Sequence, residues 1–187
     1  MPPDASIGAL IRTAQSGDTQ AADALFAALY DELHGIAERQ LRRGAPGITL
    51  GTTTLLHEAY LNIAEREGLQ FANRAHFLGY AARAMRGLTI DYVRRKQARK
   101  RGGEFHITAV GPEPADAGAR AEPLDQLSTA LDTLAASEPD LAQLVDLHFF
   151  CGFSFTELAE LRGVSERTIG RQWRSARLLL HRAIQDL

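Results

Sequence analysis

Apolar side chains return every three or four positions along almost the whole of this 187-residue chain. Ala22, Leu25, Phe26, Leu29, Leu33, Ile36 and Leu41 fall on one stripe of a helix, and no stretch alternates apolar and polar residues long enough to make a strand. The spacing predicts an all-α fold. Helices are expected over residues 5–16, 19–43, from Thr52 or Thr53 to before Gly68, and over 74–100, 124–136, 139–150, 154–162 and 165–186. Ser16-Gly17-Asp18 and Gly44-Ala45-Pro46-Gly47 supply the turn chemistry that separates the first three.

Residues 102–123, GGEFHITAVGPEPADAGARAEP, interrupt this periodicity with glycine, proline, alanine and acidic residues. A segment of that composition is expected to be a flexible linker. It divides the chain into a helical domain over 1–101 and a second over 124–187. The alternative is one helical bundle carrying a long surface loop. With 45% hydrophobic residues, either arrangement can bury a core.

Several function classes find no support. The lone cysteine, Cys151, excludes an intrachain disulfide and is expected to be a small buried residue. His34, His57, His76, His106, His148 and His181 are scattered without the HxxxH or HExxH spacing of a metal site. No glycine-rich phosphate loop, nucleophile elbow or acidic cluster appears, so neither an enzyme nor a cofactor is expected. No apolar run reaches the roughly 18–20 residues of a membrane span. The first residues lack a basic region followed by an apolar stretch with a cleavage site, so a cytoplasmic protein without membrane contact is expected.

Residues 153–177, FSFTELAELRGVSERTIGRQWRSAR, have the spacing of a helix-turn-helix. A short helix carries Leu158, Ala159 and Leu161, a turn follows at Arg162-Gly163-Val164, and a second helix opens at Ser165 with Ile169 and Trp173 inward. Ser165, Glu166, Arg167, Thr168, Arg171 and Arg174 are left on its free surface, where hydroxyls can meet phosphates and arginines can reach guanine edges. The competing interpretation is an ordinary αα-hairpin. His148, Phe149, Phe150, Phe153, Phe155 and Trp173 are expected to pack the core beneath it.

A formal net charge of −2 hides strong segregation, because RRKQARKR over 94–101 holds six basic residues in eight. A local basic stripe can bind DNA on a body that is otherwise neutral or acidic. The segment 77–103 sets Arg83, Arg86, Arg94, Arg95 and Lys96 beside Tyr80 and Tyr92, cations for a backbone and rings for unstacked bases. Taken alone, it is equally a solvated charge run at a helix end.

In chain order, FLxYAxRxxRxxxIDYxRRxxxRKR, an acidic linker and ELAEL…GVSERTIGRQWRSARxxL resemble the extracytoplasmic-function (ECF) sigma factors of bacterial RNA polymerase over nearly the whole chain. The resemblance implies a region 2-like domain that binds core polymerase and helps open the promoter's −10 element. It implies a region 4-like domain that reads the −35 element, with no catalytic role for either. Arg83, Arg86, Tyr92, Arg94, Arg95 and Lys96 correspond to the −10 contacts, and Asp91 either joins them or is buried and structural. Ser165, Arg167, Thr168, Arg171 and Arg174 correspond to the −35 contacts. The rivals are a free-standing helix-turn-helix regulator and a small hydrolase or nuclease, for which no catalytic residues converge.

The chain departs from the family pattern twice. Gly87 stands where members often have asparagine, which bears on base preference at the −10 element. The helix that docks on the clamp of the polymerase β′ subunit usually opens with a run of acids, and matching Glu58 puts Gly51, Thr52, Thr53 and Thr54 there instead. Leu55, His57, Glu58 and Asn62 would form the docking stretch. A phosphate adds about −1.5 to −2 charge and is favoured at a helix N-terminus, so phosphorylation of one threonine by a Ser/Thr kinase would restore the charge. The family contains groups that lack the acidic run and respond to kinases. The competing interpretation is that the threonines are helix N-caps. Nothing in the chain names an anti-sigma partner.

Overall fold

The computed structural model describes residues 4–43, 49–66, 69–101 and 121–186, and among these it is all-α. In chain order the helices are α1 (Asp4–Gln15), α2 (Thr19–Ala28), α3 (Tyr30–Arg43), α4 (Thr52–Ala64) and α5 (Arg74–Arg101). They continue with α6 (Ala121–Ser137), α7 (Pro139–Val145), α8 (Phe155–Arg162) and α9 (Glu166–Gln185). Most boundaries lie within a few residues of the spacing's expectation. The expected linker lies outside the described residues except at 121–123, which are already helical.

Two expected helices are interrupted. The helix expected over 19–43 is two, α2 and α3, because Leu29 leaves helical geometry at φ −107° and ψ 10°. Leu29 is itself fully buried, and the bend keeps Leu25, Leu33 and Ile36 turned inward with it. The helix expected over 139–150 ends its regular turns at Val145 and widens into a π turn at Asp146–Phe150. There the Cys151 N–H donates to the Asp146 carbonyl at 3.0 Å, five residues back. The wider turn changes which side chains face inward, the usual effect of a π-bulge. Asp146, Leu147 and Phe150 are buried, whereas Phe149, expected in the core, is 37% exposed.

The long helix α5 is the common surface on which the other elements meet. Phe77, Leu78, Ala81, Ala82 and Met85 are almost completely buried. Phe77 is met edge-on by the rings of Phe26 at 5.6 Å and Phe71 at 5.3 Å, an arrangement favoured by the ring quadrupole. The buried Gln40 amide of α3 donates to the Ala82 carbonyl at 2.7 Å, which satisfies both polar groups away from water.

The C-terminal helices pack Leu131, Leu134, Ala142, Leu158, Ile169 and Ala176 together. The His148 ring stands 4.6 Å from Phe155 and 4.6 Å from Trp173, and its Nδ1 is 2.7 Å from the Phe153 carbonyl. The buried side chains of α1–α5 and α6–α9 form one continuous cluster. The join is close at Gly79 of α5, where a Cβ would stand 3.6 Å from Leu147.

Truncating Phe77 removes the ring shared by these contacts and leaves a cavity. Phe77→Ala should lower unfolding stability by about 3–5 kcal/mol, measured by chemical denaturation.

Candidate nucleic-acid interface

The helix-turn-helix is locally over-determined. Ser154 starts α8 with a complete capping box: its hydroxyl accepts from the Glu157 N–H at 3.2 Å, and the Glu157 carboxylate accepts from the Ser154 N–H at 2.8 Å. Gly163 ends α8 at φ +63°, a left-handed geometry that glycine adopts without a Cβ penalty. Ser165 then caps α9 by accepting from the Thr168 N–H at 3.2 Å.

Ile169 points wholly inward and Trp173 lies half-buried against His148 and Phe155. Ser165, Arg167, Arg171 and Arg174 are exposed and Thr168 half-buried, so the residues expected to read the −35 element share the outer face of α9. Glu166 accepts a hydrogen bond from Thr156 at 2.7 Å, tying the two helices. Arg162, which sequence reasoning left unassigned, donates to the Asp140 carbonyl at 3.0 Å and reaches Gln143 and Gln172. Burial draws its pKa below the ordinary arginine value. The lone cysteine is buried as expected, and that burial raises the Cys151 thiol pKa.

The second basic surface is arranged differently. Arg94 and Arg95 are exposed near the end of α5, and Lys96 is half-buried. The side chains of Arg99, Lys100 and Arg101, part of the expected basic run, lie outside the described residues. The Tyr92 hydroxyl is 2.5 Å from Thr49 Oγ1. Asp91 is exposed, which corrects its alternative assignment as a buried structural residue.

Arg83 and Arg86 converge on one carboxylate. Arg83 donates to Asp146 Oδ2 through Nη2 at 2.9 Å and Nε at 3.2 Å, and Arg86 donates to Oδ1 at 2.8 Å. Arg86 is 6% exposed and lies with its guanidinium 5.2 Å from the Phe150 ring centroid. It is therefore enclosed by protein here, not displayed with Arg94 and Arg95 as helical spacing suggested.

At the expected polymerase-docking helix, the N-cap of α4 is Gly51, with no side-chain cap bond and no acid in the first turn. The threonines are thus not the N-cap; Thr52 is half-buried, and Thr53 and Thr54 are exposed. His57 and Glu58 are exposed and Asn62 half-buried, but Leu55 is fully buried. Leu55 packs the core and offers no surface to a partner, a correction to its expected place in the docking stretch. Thr53 and His57 line a groove of about 270 Å³ with Tyr30, Leu56, Tyr60 and Asp23. The Tyr60 hydroxyl donates to Asp23, which raises the tyrosine pKa.

The family model described as ECF sigma factor matches residues 4–186, a span that includes the helix-turn-helix, the basic helix and α4. The chain belongs to the ECF sigma factors. No curated sequence matches it. Membership of this family, a family of non-enzymatic initiation factors, makes core RNA polymerase and promoter DNA its partners and transcription initiation its role. Among the described residues of this sigma factor, no helix is long and apolar enough to cross a membrane.

The capping box makes a pH-dependent contribution. Hydrogen bonds from Ser154 hold the Glu157 carboxyl below its ordinary pKa. A depressed folded-state value means stabilisation that is complete above the unfolded value of about 4.3 and lost as pH falls through the folded one. Ser154→Ala should cost about 1 kcal/mol at neutral pH. The gap from the parent should narrow in acid, measured by thermal unfolding across a pH series.

Proposed function

We propose that this sigma factor uses residues 1–101 to hold core polymerase and the −10 element, and residues 124–187 to read the −35 element. Arg83, Arg86, Tyr92, Arg94, Arg95 and Lys96 are the −10 contacts in this reading. Ser165, Arg167, Thr168, Arg171 and Arg174 are the −35 contacts. The α4 residues His57, Glu58 and Asn62 meet the polymerase β′ clamp.

Binding to that clamp is switched on by a Ser/Thr kinase that phosphorylates a threonine at the start of α4. The observation that supports this is an uncapped helix start with no acid in its first turn and two exposed hydroxyls, Thr53 and Thr54. A phosphate on either would add about −1.5 to −2 charge where the unpaired N–H groups of the first turn favour an anion. Half-buried Thr52 is the less accessible of the three.

The test is copurification of core polymerase with the tagged full chain, followed by affinity measurements on single variants. Thr53→Asp or Thr54→Asp should tighten binding by about fivefold, equivalent to about 1 kcal/mol, and the alanine variants should not. Aspartate variants that bind no better than the parent would sink the charge-replacement idea. A parent chain that ignores core polymerase and binds duplex DNA tightly unaided would instead be a free-standing regulator.

A further inference from the structure

The carboxylate that holds Arg83 and Arg86 comes from the other half of the chain, and it is 2% exposed. Its two oxygens are both engaged: Oδ2 takes two bonds from Arg83 and Oδ1 takes one from Arg86. Arg83 brings two N–H groups to a single oxygen and Arg86 one to the other, charge-assisted contacts that a phosphate's oxygens can accept in the same way. Asp132 of α6 lies 3.6 Å from the remaining terminal nitrogen of Arg86, so a second acid from the C-terminal half faces the same cation.

The seam continues on the far side of the π turn. Arg39 of α3 donates to the Cys151 carbonyl at 2.5 Å and to the Phe150 carbonyl at 3.4 Å, and Leu147 fills the space above Gly79. The π turn and the Cys151 that follows it thus present a carboxylate and an apolar side chain to α5 and two carbonyls to α3. Arg83 and Arg86 also line an open groove of about 300 Å³ along the seam, with Asn62 and Asp91 from one half and Ser128 and Asp132 from the other.

We infer that Asp146 is an internal mimic of a DNA phosphate that latches the C-terminal half onto α5 and withholds Arg83 and Arg86 from promoter DNA. The inference rests on the assignment of those two arginines to the −10 element. One carboxylate and one DNA backbone cannot occupy the same guanidinium faces, so opening of the seam precedes −10 binding. Apparent affinity for DNA is reduced in proportion to the fraction of molecules that are open. Arg94 and Arg95, exposed farther along α5, are outside the latch.

The test uses the full chain and two single variants, Asp146→Asn and Arg39→Ala. The first removes the charge and keeps the shape of the side chain. The second loosens the same turn from α3 without touching Asp146 or the α5 arginines, and it stands if Asp146→Asn fails to fold, with helical circular dichroism as the check. Each is measured by small-angle scattering and by anisotropy with a mixed-sequence single-stranded DNA of about 20 nucleotides, long enough to span a typical single-strand site. The expected result is a larger radius of gyration with DNA affinity raised about tenfold for Asp146→Asn and less for Arg39→Ala. Folded variants with unchanged scattering and unchanged affinity would overturn the latch while leaving the DNA assignment intact. Expansion without any gain in DNA affinity would overturn the withholding by rejecting Arg83 and Arg86 as DNA contacts.

Discussion

Placing the Asp146 carboxylate out of water imposes conditions on everything around it. An ionised carboxylate buried without partners is too costly to persist, so cations must accompany it, and the nearest belong to α5. Removing one partner of a fully buried pair typically costs about 3–5 kcal/mol, because the other charge is left stranded. Arg83 keeps 42% of its side chain in solvent, so its share is screened, whereas Arg86 is nearly enclosed. The pair therefore acts less as glue than as a register. It admits only the placement of the C-terminal helices in which Asp146 meets α5, and the apolar contacts of Leu147 and Phe150 follow from that placement.

The π turn makes this register possible. In a regular helix, residues 146–150 would continue the pattern of α7 and spread their side chains around the axis at its usual period. The widened turn instead gathers Asp146, Leu147 and Phe150 on the inward side and sends Phe149 outward. Its bonding also leaves the Phe150 and Cys151 carbonyls available to Arg39. A local departure from helical hydrogen bonding thus produces three different contacts with α3 and α5.

Local patterns in the chain were readable, and non-local pairings were not. The turn at Gly163, the helix starts at Ser154 and Ser165, and the inward Ile169 follow from short-range spacing and match the structure. The division at Leu29 was hidden because the apolar stripe runs through it unbroken, and the hydrogen bond from the Leu33 N–H to the Leu29 carbonyl bridges it. Arg86 looked exposed because a basic residue on an amphipathic helix ordinarily is. Its enclosure depends on a carboxylate 60 positions away. One clue was present: Asp146 stands between Leu144-Val145 and Leu147, and an acid inside an apolar run must be buried with a partner or interrupt the helix. Here it does both. Leu55 carried a similar clue, since a leucine beside Leu56 at the start of an apolar stripe packs inward before it meets a partner.

The two basic surfaces are not equally accessible, and the difference follows from how each is built. The face of α9 projects from a helix whose opposite side packs Ile169, Trp173 and Ala176, so Arg167, Arg171 and Arg174 stand exposed on it, Arg174 with one bond to the Gly170 carbonyl of its own helix. The face of α5 belongs to a helix that packs on several sides at once, and its middle arginines lie where the C-terminal half closes over them. A surface that meets duplex DNA loses nothing by standing open, because a wrong duplex is held only by screened phosphate contacts. A surface suited to unstacked strands has a different constraint. If always exposed, it would bind any single-stranded nucleic acid through cations and rings without sequence preference. Under the proposed assignment of Arg83 and Arg86 to the −10 element, covering them with a carboxylate answers that constraint, since the competing anion is part of the chain and its local concentration does not depend on how much nucleic acid surrounds it.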